Sequence, residues 1–137
     1  MDAKALLVVD GANVVGSVPD GWWRDRRGAA ERLRDALATV AERGLPDRTD
    51  VPVWARTRPL EVVLVVEGAA RGLVGLPQVR VVEAPGNGDD RIVDVVRQAK
   101  ADDPQRACLV VTADRGLRAR VIALGAEVVG PRAVRPA

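Results

Sequence analysis

Short apolar runs alternate along this sequence with stretches in which apolar residues recur every three or four positions. The runs cover residues 5–9, 62–66, 79–82, 108–112 and 127–129, and all are rich in valine or leucine. Runs that are apolar throughout are typical of parallel strands buried on both faces. Helical periodicity covers residues 29–43, 89–100 and 115–124. The pattern predicts an α/β fold with a mostly parallel five-stranded sheet.

The length of 137 residues and the 47% hydrophobic content fit a single domain spanning residues 1–137. No apolar run reaches the roughly 18 residues needed to span a bilayer, and the first residues lack a signal-peptide pattern. We therefore expect a cytoplasmic protein with no membrane association, which also suits its single cysteine, Cys108. The sequence leaves the oligomeric state open.

The composition excludes several kinds of catalytic site. The chain has no histidine and one cysteine, so it cannot build a Ser-His-Asp or Cys-His catalytic unit, a zinc cluster or an internal disulfide. Its net charge of +2 is too small to identify a partner. Any chemistry must therefore rest on carboxylates, hydroxyls, arginines or a bound cation.

Acidic residues follow the predicted strands. Asp10 closes the first strand, Glu67 follows the second, Asp114 comes shortly after the fourth, and Asp89 opens the helix after the third. Ligand sites of open parallel sheets lie outside the carboxyl ends of the strands. Several carboxylates in one cleft repel one another unless a cation neutralises them, and oxygen ligands favour Mg²⁺ or Mn²⁺. Such ions support phosphoryl chemistry without a protein nucleophile.

Helix capping is the alternative interpretation for Asp89 and Asp114, because each directly precedes or opens a helical pattern. Asp10 is different, since a carboxylate at the end of a buried strand is costly unless a partner stabilises it.

Helix geometry distinguishes the acidic residues of the 89–100 segment. At about 100° per residue, Asp89 lies close to the apolar face, whereas Asp90 and Asp94 point well away from it. We expect these two on a solvated face, balanced by Arg91 and Arg97, and they are second choices as metal ligands.

Four segments together resemble the PIN-like superfamily, specifically its NYN branch of ribonucleases. They are Leu7-Val-Val-Asp10-Gly-Ala-Asn13-Val, Glu67-Gly68 after a valine strand, Gly88-Asp-Asp-Arg-Ile92, and Val110-Val-Thr112-Ala-Asp114-Arg-Gly-Leu. The likeness covers nearly the whole chain in order. It implies a three-layer α/β/α fold with strand order 3-2-1-4-5, an acidic pocket that binds Mg²⁺ or Mn²⁺, and endonucleolytic cleavage of RNA.

The resemblance also implies roles for individual residues. Asp10, Asp89 and Asp114 would be the metal-binding and catalytic carboxylates, and Asn13 would orient a water or a phosphate. Thr112 would complete the cluster. Glu67 stands where this branch often has aspartate, so it is either a ligand that acts through water or a structural residue.

The loop at residues 16–27 is expected near the pocket because it follows the Asp10 strand. Adjacent tryptophans flanked by arginines can stack an unpaired base and hold phosphates, as in proteins that bind single-stranded RNA. The alternative for the tryptophans is ordinary packing, in which one indole covers the helix start and the other lies on the surface. The alternative for the arginines after Asp114 is a solvated helix face. The candidate RNA-binding residues are Trp22, Trp23, Arg24, Arg26, Arg27, Arg115 and Arg118.

The leading functional hypothesis is a metal-dependent endoribonuclease. The first alternative is an RNA-binding module of the same fold without useful catalysis. The second is a phosphohydrolase with an aspartyl nucleophile at Asp10, but those enzymes usually place another carboxylate two residues later, where this chain has Ala12.

Overall fold

Strands and helices alternate along the computed structural model, which describes residues 4–18, 21–56 and 59–135. The strands are β1 (Leu6–Asp10), β2 (Glu61–Val66), β3 (Val79–Glu83), β4 (Cys108–Val111) and β5 (Glu127–Val129). The helices are α1 (Gly11–Gly16), α2 (Arg26–Arg43), α3 (Gly88–Asp102) and α4 (Arg115–Ala123). Every predicted strand matches an observed strand, and their ends differ by at most one residue.

The strands form one parallel sheet in the order β3-β2-β1-β4-β5. β1 lies at the centre, where Val8 pairs with Val63 of β2 and with Val110 of β4. The strand order reverses beside β1, because β2 and β3 lie on one side of it and β4 and β5 on the other. The carboxyl end of β1 is therefore the position at which sheets of this kind form a crevice for a ligand.

Two apolar layers cover the faces of the sheet. Leu7 and Val9 of β1 pack with α1 and α2 on one face, whereas Leu6 and Val8 pack with α3 and α4 on the other. Alternate residues of a strand point to opposite faces, so a strand buried on both sides must be apolar at every position. The predicted three-layer α/β/α architecture with strand order 3-2-1-4-5 is confirmed.

Two helix boundaries near the end of β1 differ from the prediction. The six-residue helix α1 was not predicted, because it is too short to show a 3.6-residue period. Helix α2 begins at Arg26 instead of residue 29, since the Asp25 carboxylate accepts a hydrogen bond from the Gly28 N–H at 2.9 Å and caps the helix. Arg26 and Arg27 therefore belong to α2 and not to the predicted 16–27 loop.

Parts of the predicted single domain lie outside the described residues, namely 1–3, 19–20, 57–58 and 136–137. Residues 19–20 fall within the predicted aromatic loop. None of the helices in the described ranges is long and apolar enough to cross a membrane.

Candidate functional site

The carboxyl ends of β1 and β2 and the start of α4 open onto a cleft of about 570 Å³. Among its lining residues are five that the sequence singled out: Asp10, Asn13, Glu67, Asp89 and Asp114. They come from four separate junctions of the chain. Parallel strands bring these junctions together because their carboxyl ends share one edge of the sheet.

Asp10 is the buried carboxylate of the cleft, with only 6% of its surface exposed. Its Oδ2 accepts a hydrogen bond from the Thr112 hydroxyl at 2.9 Å, and its Oδ1 accepts a longer one from the Asn13 N–H at 3.4 Å. Burial raises the pKa of Asp10, repulsion from Asp89 and Glu67 adds to the rise, and the two hydrogen bonds oppose it. Asp10 is therefore held in a fixed orientation, at a cost that comes first from the burial of its charge and then from repulsion.

Asn13 and Thr112 tie the end of β1 to the loop after β4. The Asn13 side-chain oxygen accepts a hydrogen bond from the Ala113 N–H at 2.8 Å. The fully buried Thr112 hydroxyl donates to Asp10 and accepts from the Asp114 N–H at 3.1 Å. Thr112 thus orients Asp10 from within the protein. The Asn13 tie is a role that sequence reasoning missed, since it joins positions far apart in the chain.

Asp114 caps α4, as the alternative interpretation predicted: its Oδ1 accepts a hydrogen bond from the Leu117 N–H at 2.8 Å. Asp89 does not cap α3. The cap is Asn87, whose side-chain oxygen accepts from the Asp89 N–H at 2.8 Å, so the capping interpretation of Asp89 is wrong. Capping occupies one oxygen of Asp114. Asp89 has no capping role, because Asn87 caps its helix.

Asp89 is half-buried and faces the cleft. Its pKa is raised by partial burial first and then by repulsion from Asp114 and Glu67, whereas Arg120 lowers it. Asp10, Glu67, Asp89 and Asp114 thus place several negative charges around one cleft, and a hard cation would neutralise them.

Asp90 and Asp94 are exposed, as predicted, and neither lines the cleft. Asp94 pairs with Arg97 at 3.3 Å, in agreement with the expected balance of charge. Asp90 pairs at 2.9 Å with Arg120 of α4, a residue that the expected balance by Arg91 and Arg97 did not include. The neighbouring helix supplies the partner because α3 and α4 pack side by side on the same face of the sheet.

Glu67 holds the N-terminus of α3. Its Oε2 accepts a hydrogen bond from the Gly88 N–H, the first amide of the helix, at 2.6 Å. A Cβ atom at position 88 would lie 2.7 Å from the same oxygen, so glycine allows this close approach. Glu67 therefore joins the end of β2 to the helix that carries Asp89, and its structural role is evident in the geometry.

The donor chemistry of the cleft suits a hard cation, but the described residues form no ready-made cage. No group of three or more acidic or thiol side chains in the described ranges has a geometry that could hold a metal ion. The predicted cluster of Asp10, Asp89 and Asp114 is thus not preformed. Mg²⁺ commonly keeps several waters and takes one or two carboxylates together with substrate phosphates. The oxygen donors fit an ion of that kind, and their metal-binding role remains a prediction.

The two tryptophans lie side by side in a 3-10 turn (Trp22–Arg24) before α2. Their ring centroids are 6.1 Å apart in an edge-to-face arrangement, and the Arg26 guanidinium lies 5.5 Å from the centroid of the Trp22 ring. Trp22 is half-buried, and Trp23 is 54% exposed. One indole is thus half-buried before α2 and the other lies on the surface, which is the arrangement that the packing alternative predicts.

The candidate arginines differ in exposure and in their contacts. Arg24, Arg26, Arg27 and Arg115 are exposed. Arg27 donates to the backbone oxygen of Arg71 at 3.2 Å, and Arg118 donates through Nε to the Thr112 carbonyl at 3.0 Å. Arg118 is half-buried, so its described contact stabilises the loop after β4.

Sequence reasoning missed Arg71, which lines the carboxylate cleft. Its guanidinium donates to the Gly68 carbonyl at 3.2 Å and to the Pro85 carbonyl at 3.5 Å. These contacts hold the positively charged guanidinium at the rim of the acidic cleft, where it could bind a phosphate. The available signal was its position in the turn directly after β2, at the same edge of the sheet as Asp10.

The comparisons with known proteins identify the fold. No protein-family model and no curated protein matches the chain. A crystal structure of Rae1 (YacP) from Bacillus subtilis is similar at 20% identity with a TM-score of 0.67, covering 97% of this chain and 71% of that one. A tryptophan-to-leucine mutant of the same protein is similar at 17% identity with a TM-score of 0.63, covering 95% and 72%. Together with the strand order, this likeness shows that the chain shares the three-layer α/β/α fold of Rae1.

Proposed function

We propose that this protein is a metal-dependent ribonuclease that hydrolyses a phosphodiester bond of RNA, preferentially in single strands. The single observation that carries the proposal is the convergence of Asp10, Asp89 and Asp114 on one cleft at the carboxyl edge of the sheet. The PIN-like fold is the one that the sequence resemblance links to this reaction. The chain also has no histidine, which suits a reaction that needs no imidazole.

Asp10, Asp89 and Asp114 would hold the cation, which would be Mg²⁺ or Mn²⁺. Such an ion supplies activation of a water and stabilisation of charge on the phosphate. Thr112 keeps the Asp10 carboxylate in place through its hydroxyl, and Glu67 keeps the first turn of α3 against the sheet. These two residues position the carboxylates and need not touch the substrate.

Phosphate binding would fall to the arginines at the rim of the cleft. Arg71 is anchored by two carbonyl oxygens and lines the cleft itself. A guanidinium matches the geometry of phosphate oxygens, so it can hold the RNA backbone against the repulsion of the nearby carboxylates. Exposed Arg115, which follows Asp114 in the chain, would add positive charge beside the site, and exposed Arg24 is a further candidate for phosphate binding.

The proposal is tested by incubating the protein with end-labelled single-stranded and hairpin RNAs in Mn²⁺, Mg²⁺ or EDTA. We expect cleavage with the metals and none in EDTA. Asp10→Asn should cleave at least about 100-fold more slowly, because loss of a metal-binding carboxylate removes several kcal/mol of transition-state stabilisation. The matched control is Asp94→Asn, an exposed carboxylate outside the cleft that pairs with Arg97. Equal cleavage by Asp10→Asn and the parent would refute the proposal.

An RNA-binding module without catalysis is the second candidate, and one observation favours it: the described residues hold no preformed metal cage. Glu67 and Asp114 also each use one oxygen to hold a helix N-terminus. Unchanged RNA affinity in EDTA, with no cleavage product in any metal, would support this candidate over the nuclease.

A further inference from the structure

A second hollow lies directly beside the carboxylate cleft. It has a volume of about 170 Å³ and is enclosed by α1, the start of α2 and the end of β2. Trp22 and Arg26 form one side, and Val15, Val66 and Ala70 contribute apolar surface. The carboxylate chemistry described above makes no use of this hollow.

The hollow and the cleft share a wall. Ala12, Glu67 and Gly68 line both of them. A molecule that places a charged group near Asp10 and Asp89 can therefore reach the hollow with the adjoining part of its structure. In an RNA strand, the part that adjoins a phosphate is a nucleoside.

The chemistry of the hollow suits a planar ring. The Trp22 indole offers an aromatic surface, and the Arg26 guanidinium lies 5.5 Å from its ring centroid. Proteins that recognise single-stranded RNA stack unpaired bases on aromatic rings and on arginine planes. A base inside a duplex is paired and stacked on its neighbours, so it could enter such a hollow only after leaving the helix.

We propose that this hollow binds one unpaired nucleobase of the RNA whose phosphate lies in the carboxylate cleft. The inference rests on the proposed ribonuclease function and deepens it, because it makes Trp22 a residue that selects unpaired nucleotides next to the cleaved bond. Trp23 is adjacent in sequence but is not part of the lining of the hollow. The pocket therefore assigns different roles to the two tryptophans.

The test is a double-mutant cycle between the tryptophan and the base. Asp10→Asn serves as the parent, so that binding is measured without cleavage, by fluorescence anisotropy with a labelled single-stranded RNA. Abasic nucleotides replace each position of that RNA in turn. At one position, abasic replacement and Trp22→Ala should each weaken binding about tenfold or more, since a stacked base contributes an effect of this order. Combining the two changes should weaken binding no more than either change alone.

Two more variants keep the test decisive if Trp22→Ala folds poorly. Ala70→Leu fills the hollow with apolar atoms and should weaken binding of the intact RNA while leaving the abasic RNA unaffected. Trp23→Ala is the matched control, and any loss it causes should be the same for intact and abasic RNA. The proposal is overturned if neither Trp22→Ala nor Ala70→Leu depends on a base at any position.

The outcomes for the hollow and for the proposed function are separable. If the protein cleaves RNA in Mn²⁺ but shows no coupling to any base, the nucleobase pocket is wrong and the nuclease stands. If coupling is found but the protein with its native Asp10 never cleaves RNA, the pocket stands and the catalytic proposal fails. If the protein binds no RNA, both fail.

Discussion

Replacing Asp114 separates two roles that its carboxylate combines in this account. The Oδ1 atom caps α4 through the Leu117 N–H at 2.8 Å, and the carboxylate also lines the cleft. Loss of a capping side chain costs about 1 kcal/mol, whereas asparagine caps a helix about as well as aspartate. Asp114→Ala should therefore unfold about 3–5 °C lower than the parent. Asp114→Asn should stay within about 0.5 kcal/mol of the parent, because removing the charge weakens its interaction with the helix dipole but relieves repulsion with Asp89.

Both substitutions remove a proposed metal ligand, so both should slow RNA cleavage about 100-fold or more. Thermal unfolding in EDTA and single-turnover cleavage in Mn²⁺ give the two readouts. Asp25→Asn is the matched control, since Asp25 caps α2 through the Gly28 N–H outside the carboxylate cleft, and it should retain both stability and cleavage. If Asp114→Asn cleaves as fast as the parent, Asp114 acts as a helix cap alone and the reasoning fails.

Three further predictions concern the same cleft. Because burial raises the folded pKa of Asp10, the metal-free protein should become less stable as pH rises from 3.8 through that raised value. Urea unfolding in EDTA measures the free energy of unfolding against pH, and Asp10→Asn should lose this part of the pH dependence. An unchanged pH dependence would contradict the assignment. Glu67→Ala leaves the buried Gly88 N–H without its acceptor and should cost about 1–3 kcal/mol in urea unfolding, whereas Glu67→Gln, which keeps an acceptor oxygen, should cost less. Arg71→Ala should raise the KM for RNA with little change in stability, because the hydrogen bonds of Arg71 are exposed to solvent. Arg118→Ala should lower stability by about 1 kcal/mol, because Arg118 is half-buried. The reverse pattern would refute the roles assigned to the two arginines.

Most of the fold could be predicted because its signals are local. The inner strands β1, β2 and β4 are buried on both faces and almost wholly apolar, and runs rich in valine and leucine predicted all five strands to within one residue. Helix α1 could not be predicted, because six residues are too few to show a helical period. Helix α2 begins three residues before the predicted start at residue 29, because the Asp25 carboxylate caps it.

The convergence of the acidic residues followed from topology, but their partners did not. The Asn13 to Ala113 hydrogen bond joins positions 100 residues apart, and no spacing rule reports such a contact. Asp90 pairs with Arg120 because α4 packs beside α3, whereas reasoning on one helix alone considered only Arg91 and Arg97. Tertiary packing determines these partners. Patterns in a single sequence therefore predicted which carboxylates line the cleft, but not which residues they contact.

Anomalous diffraction at the manganese edge, from crystals grown with Mn²⁺ and an uncleavable single-stranded RNA, tests the central claim most directly. The account predicts a manganese peak in the cleft, in contact with Asp10 and at least one of Asp89 and Asp114, with an RNA phosphate on the same ion. Bound RNA with no manganese peak among these carboxylates, or a peak elsewhere in the molecule alone, would contradict it.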